Sequence, residues 1–114
     1  MRPVTYAVQY HSSRLQEELL AWPAGLQARY LRLVERIEWV GPNLGMTHTR
    51  SLGNGLFELR VKAKEGIGRV FFCAIAGRQV VMLHQFVKKS EKTPVRELDM
   101  ARQRMREWMD AYAR

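Results

Sequence analysis

Three apolar segments follow one another between residues 56 and 88 on very short tethers: "LFELRVKA" (56–63), "GRVFFCAIA" (68–76) and "QVVMLHQFVK" (79–88). Each is rich in β-branched and aromatic residues and reads as a strand. The spacers "KEGI" and "GR" are far too short for the crossover that parallel neighbours need, so the three must form an antiparallel meander. With 114 residues the chain has room for one core. Whatever precedes and follows the meander therefore has to pack on it.

The flanking segments supply that cover. "VTYAVQY" (4–10) reads as a first strand. Ser13 and Gln16 stand three apart, as in a capping box, ahead of a short helix with Leu15, Leu19 and Trp22 at helical spacing. Pro23 stops that helix or starts the next. "LQARYLRLVERIEWVG" puts Leu26, Tyr30, Leu33, Val34 and Ile37 on one face of a second helix, which Gly41-Pro42 ends. Residues 41–55 read as a loop that closes in an Asn-Gly turn. After the meander, Thr93 is placed to cap a last helix that Pro94 opens, with an apolar stripe of Leu98, Ala101, Met105, Trp108 and Tyr112. The three tryptophans, Trp22, Trp39 and Trp108, read as packing residues. The order is β-α-α-β-β-β-α, a single α+β domain over residues 1–114.

Hydrophobic content of 46% and charged content of 26% are those of a globular protein. No apolar run approaches the length of a membrane span, and the N-terminus lacks a signal-peptide stretch, so a cytoplasmic protein without a membrane partner is expected. Cys73, the one cysteine, lies inside an apolar strand and reads as a buried residue. His11, His48 and His84 show no metal-ligand spacing, and no phosphate-loop or dinucleotide glycine pattern occurs; neither metal nor cofactor is expected.

The net charge of +8 points to a polyanionic partner. Its distribution is uneven: residues 1–55 carry six Lys and Arg against four Asp and Glu, residues 56–114 thirteen against seven. Side chains alternate along a strand, so Leu56, Glu58, Arg60 and Lys62 are expected to turn outward while Phe57, Leu59, Val61 and Ala63 pack on helices. Arg69 opens the next strand. Lys88 and Lys89 end the third, and Lys92 follows in the turn. Counting alternately, Met82, His84, Phe86 and Lys88 share a face, which brings His84 to the border of the cations. Such a surface can hold an RNA backbone. RNA carries its own nucleophile, the 2′-hydroxyl, and its cleavage needs a base, a stabilised phosphate and a proton for the leaving oxygen. A lysine crowded by other cations can serve as base.

"LGNGLFELRVKAKEGIGRVFFCAIAGRQVVMLHQFVKKSEKTPVRELDMARQRM" resembles the RelE/ParE superfamily of type II toxins, in particular its HigB-like, phage-derived branch. The features that carry the resemblance are the strand Gly55 to Arg60, the arginine that opens "GRVFF" at Arg69, the strand end Leu83 to Lys89, and the helix start Lys92 to Pro94. The resemblance implies a compact microbial-RNase fold and a ribosome-dependent endoribonuclease that cuts mRNA without a metal. The products carry a cyclic or 3′-phosphate and a 5′-hydroxyl. It also implies a cognate antitoxin, often of the helix-turn-helix type, and a toxin–antitoxin assembly such as a heterotetramer.

By this resemblance Arg60, Arg69, Lys88 and Lys89 are the catalytic candidates, and Lys62, His84, Lys92 and Arg96 the RNA-binding ones. Replacing Arg69 by Ala is then expected to abolish toxicity and leave the fold intact. One feature departs from the family: the tyrosine that some members carry near the last helix is missing from "KTPVRELDMA", which leaves Arg96 or His84 to take its place. Two other readings share these residues. One is a ParE-like inhibitor of DNA gyrase, for which the cationic face would be dispensable. The other is an RNA-binding protein that cleaves nothing.

Overall fold

The computed structural model describes residues 5–88 and 92–112. In chain order its elements are β1 (Ala7–Tyr10), α1 (Ser13–Leu20), α2 (Ala24–Val40), β2 (Thr49–Gly53), β3 (Leu56–Ala63), β4 (Gly66–Ile75), β5 (Gln79–Lys88) and α3 (Val95–Tyr112). The expected meander is β3-β4-β5, and two strands extend it to a five-stranded sheet of order β1-β5-β4-β3-β2. β1 runs parallel to β5 and every other pair is antiparallel. The fold is the α+β class read from the sequence, with one strand more: β2 arises in a stretch that reads as loop. "TRSLG" has a single large apolar residue, and its pairing with β3 from Thr49↔Leu59 onward makes it a strand.

Tight turns set the register. Asn54 and Gly55 both take positive φ (54° and 83°), as do Gly77 and Arg78 (82° and 57°). At Asn54-Gly55, the two residues between Gly53 and its partner Leu56, this is what a two-residue hairpin turn needs to match strand twist; the β4–β5 turn has three residues, 76–78.

The two faces of the sheet bury different things. Towards α1 and α2 lie Leu59, Val61, Val70, Phe72, Val80 and Met82, packed against Leu15, Leu19, Trp22, Leu26, Tyr30, Leu33 and Ile37. The other face buries Leu56, Phe71, Cys73, Val81 and Leu83 against Ala101, with Leu98, Met105 and Trp108 of α3 packed alongside. Tyr112, expected in that stripe, is 51% exposed, and Trp39 is likewise at the surface. Leu56 and Glu58, expected to face solvent, are 1% and 2% exposed, because α3 and the turn before it cover that part of the face. Burial among apolar side chains pushes the Cys73 thiol up to about 11, so it is a packing residue and not a nucleophile.

Local chemistry fixes the layers. Ser12, not Ser13, caps α1: its hydroxyl accepts from Leu15 N–H at 3.1 Å. The bare Gly68 lets the Trp22 ring lie directly on β4, where an added Cβ would stand 2.5 Å from the ring. Trp22 Nε1 then donates to Gln85 on β5. At the start of α2, the Glu65 carboxylate from the β3–β4 turn accepts from Gly25 N–H at 2.9 Å. An anion there satisfies a free helix N–H and faces the positive end of the helix dipole. The bond also ties the tip of the hairpin to α2.

Candidate nucleic-acid interface

The α3 face of the sheet is built in rows that cross β3, β4 and β5. One row is Glu58–Phe71–His84, the next Arg60–Arg69–Phe86, and the last Lys62–Ile67–Lys88. The apolar rows lie under α3, and the cations gather at the end that α3 leaves uncovered. This brings Arg60, Lys62, Arg69 and Lys88 to one end of one face, as the alternation predicts.

A β-bulge makes the arrangement. Phe72 pairs with Met82 and Phe71 with His84, so Leu83 is the extra residue of β5. Met82 consequently packs in the α1/α2 core, whereas Leu83 and His84 both serve the α3 side. The expectation that Met82 and His84 share a face is corrected by that one residue. From His84 onward the alternation resumes and carries Phe86 and Lys88 to the cationic end.

The cations differ in what they meet. Arg69 is 1% exposed, and its Nη1 donates to Glu58 Oε1 at 3.0 Å inside the protein. Glu58 is a hub: its Oε2 accepts from the Thr93 hydroxyl at 2.8 Å, and Arg50 of β2 stands 3.7 Å from Oε1. Thr93, expected as a helix cap, has turned its hydroxyl to this buried carboxylate. The carbonyl of Pro94 instead receives the N–H groups of Glu97 and Leu98. An arginine open to solvent was expected at position 69, and the structure has a buried ion pair. Breaking such a pair leaves an unbalanced charge in the core, at a cost of about 3–5 kcal/mol. The expectation that Arg69→Ala leaves the fold intact is therefore withdrawn.

His84 belongs to the support as well. Arg104 of α3 donates to the carbonyl of the bulged Leu83 at 2.9 Å and lies 3.4 Å from His84 Nδ1. A guanidinium can only donate, so Nδ1 accepts and the ring proton sits on Nε2. Nε2 then faces Glu97 Oε2 at 3.2 Å. Both ring nitrogens are engaged, and the side chain is 13% exposed. Its ring runs parallel to Phe71 at 6.5 Å.

The remaining candidates are more open. Lys62, Lys92 and Arg96 are exposed, and Arg60 and Lys88 are half-buried. Lys88 Nζ lies 5.9 Å from the centre of the Phe86 ring, a cation set over an aromatic face. Lys89 lies outside the described residues. Among the described residues no group of three or more His, Cys, Asp or Glu is placed to hold a metal ion, and no helix is long and apolar enough to cross a membrane.

Three groups that the sequence reading left aside belong to the same end of the molecule. Arg29 from α2, together with Thr47 and His48 ahead of β2, lines a small cavity with Arg60 and Lys62 at the β3 edge. The signal available in the sequence is the arginine spacing of α2, Arg29, Arg32 and Arg36, off its apolar face.

Comparison with known families matches residues 17–106 to the phage-derived protein Gp49-like family (DUF891). No curated protein matches the chain. The matched stretch runs from α1 nearly to the end of α3 and includes every described residue of the cationic end. The chain belongs to this Gp49-like family, a toxin-like family of the RelE kind.

Proposed function

From that membership and from the open cationic rows, we propose that the protein is the toxin of a type II toxin–antitoxin system of the HigB-like kind. In this reading it is an endoribonuclease that cuts mRNA on the ribosome and so stops translation. One observation carries the reading: Arg60, Lys62 and Lys88 lie in adjacent rows at the uncovered end of a sheet whose opposite end is sealed by α3.

The chemistry asked of these residues is modest. The substrate's 2′-hydroxyl gives its proton to the neutral amine of Lys89 and attacks the neighbouring phosphorus. The bond to the 5′-oxygen breaks and that oxygen takes up the proton from the resulting ammonium. A cyclic phosphate, or the 3′-phosphate formed from it, and a 5′-hydroxyl result. Arg60 and Lys88 hold the phosphate and offset the charge that builds on it in the transition state. Lys62, Lys92 and Arg96 carry the backbone to either side. Phe86 offers a flat ring beside Lys88 for a base. Arg69 and His84 act as positioning residues, one through Glu58 and the other through Glu97 and Arg104. Every part of this scheme is met by side chains, without a metal or a cofactor. An antitoxin, of the helix-turn-helix type in this reading, neutralises the site by charge or by bulk, in an assembly such as a heterotetramer.

The test is induced expression in bacteria, with primer extension on a translated transcript and on the same transcript lacking its start codon. Growth arrest with cuts only in the translated message is the expected result. Cuts in both messages would make it a free ribonuclease. Arrest without cuts would move the reading to gyrase, and neither arrest nor cuts would leave an RNA-binding protein.

A further inference from the structure

We propose that the cavity at the β3 edge is a second phosphate site, in which Arg29 and His48, beside Arg60 and Lys62, hold the phosphate next along the RNA backbone from the point of cleavage. The inference rests on the reading of the protein as RNA-directed and extends its cationic end, past Arg60 and Lys62, to Arg29 and His48.

The site is built, not accidental. The segment that carries His48 is pinned along its backbone. Its N–H donates to the Gly45 carbonyl at 2.9 Å, and its carbonyl accepts from Arg60 N–H at 2.8 Å. Next to it Thr49 is 3% exposed, and its hydroxyl accepts from Leu44 N–H at 2.8 Å. On the other side, Glu65 bonded to Gly25 holds the hairpin that carries Arg60 and Lys62 against α2. The imidazole and the three cations thus come from three elements that are each tied down.

The cavity measures about 130 Å³ and is lined by Arg29, Thr47, His48, Arg60 and Lys62. That is roughly the space of four liquid waters, enough for a phosphate group. Arg29 also lines the adjoining open hollow, with Arg32, Glu35 and Arg36. Along α2, Arg29 to Arg36 covers about 10 Å of axis, so the positive charge continues as a track beyond the cavity. Among the described residues, Arg29, Arg32, Arg36 and Arg60 have no carboxylate within ion-pair distance.

Cations left unneutralised beside one another repel, and an anion relieves them. The His48 pKa is lowered first by desolvation and then by the neighbouring charges of Arg36 and Arg29. The charged groups facing it are these two arginines from α2 and Arg60 and Lys62 from β3. No apolar side chain lines either hollow. Phosphate asks only for donors, and arginine, lysine and imidazole supply them.

Three histidines make the test direct, because each gives its own imidazole proton signal in NMR. The three are titrated with pH in the absence and presence of inorganic phosphate, and then of a 2′-O-methyl oligoribonucleotide, which binds but cannot be cleaved through its 2′-oxygen. An anion in the cavity must raise the His48 pKa, since it favours the imidazolium. The expected result is an upward shift of at least half a unit for His48 with both probes, His11 and His84 staying in place, and loss of the shift in Arg29→Ala. The same substitution should lower the slope of oligonucleotide affinity against salt by about 0.7 in log–log form. A His48 pKa unmoved by the oligonucleotide overturns the proposal, and so does an equal shift produced by poly-glutamate. The readout needs no cleavage, so failure of the nuclease reading would leave its outcome legible.

Discussion

Arg60 and Arg69 stand directly opposite each other on β3 and β4, on the same face of the same sheet. In the sequence they look alike, each a cation amid alternating strand residues. In the structure Arg69 is buried against Glu58, whereas Arg60, one strand closer to the edge, opens onto a cavity shared with Arg29 and His48. The first builds the site and the second is free to use it. What separates them is the counter-charge: Glu58, sealed in by Thr93, takes one arginine of the pair and leaves the other facing outward.

The comparison breaks most visibly at Arg69. Arg69→Ala should cost about 3 kcal/mol, seen as a lower urea midpoint, because it leaves the buried Glu58 only the half-exposed Arg50 at 3.7 Å as counter-charge. Replacing both members, Glu58→Leu with Arg69→Met, should recover most of that loss, since a packed apolar pair needs no counter-charge. A next, smaller effect is expected at Thr93. Thr93→Val removes a hydrogen bond to a buried carboxylate and should cost about 1.5–3 kcal/mol by the same measurement. Glu65→Ala should cost about 1 kcal/mol, through the lost bond to the start of α2. Its more telling effect is on the open side: with the hairpin released from α2, oligonucleotide affinity should fall although no phosphate contact has been removed. Smallest in stability is Arg60→Ala, within about 0.5 kcal/mol of the parent. It should nevertheless weaken RNA binding and reduce the salt slope by about one contact.

Much of this was legible in the sequence for identifiable reasons. β3 and β5 have the bounds read from their patterns, because short turns and strong alternation delimit them. The helical hairpin follows from its apolar spacing and from Gly41, which takes φ 98° and has no room for a Cβ beside the Tyr6 ring. β2 was hidden because an edge strand can be held by backbone bonds to its neighbour and needs little apolar signature. The face of Met82 was misread because the bulge at Leu83 adds a residue that no composition announces. Burial of Arg69 was illegible for a different reason. A charge in a strand reads as exposed unless its partner is known, and Glu58 lies eleven positions away on the neighbouring strand. His48 was passed over because its company, Arg29 and Arg36, comes from another layer of the fold.

The central claim is that the outward-facing cations, and not the buried pair, contact the RNA. Primer extension on a translated transcript, comparing the parent with Arg60→Ala/Lys62→Ala at matched expression and matched melting temperature, tests it most directly. Codon-phased cuts by the parent, and their loss in a variant that folds equally well, is the predicted result. Undiminished cutting by the folded variant would contradict the account.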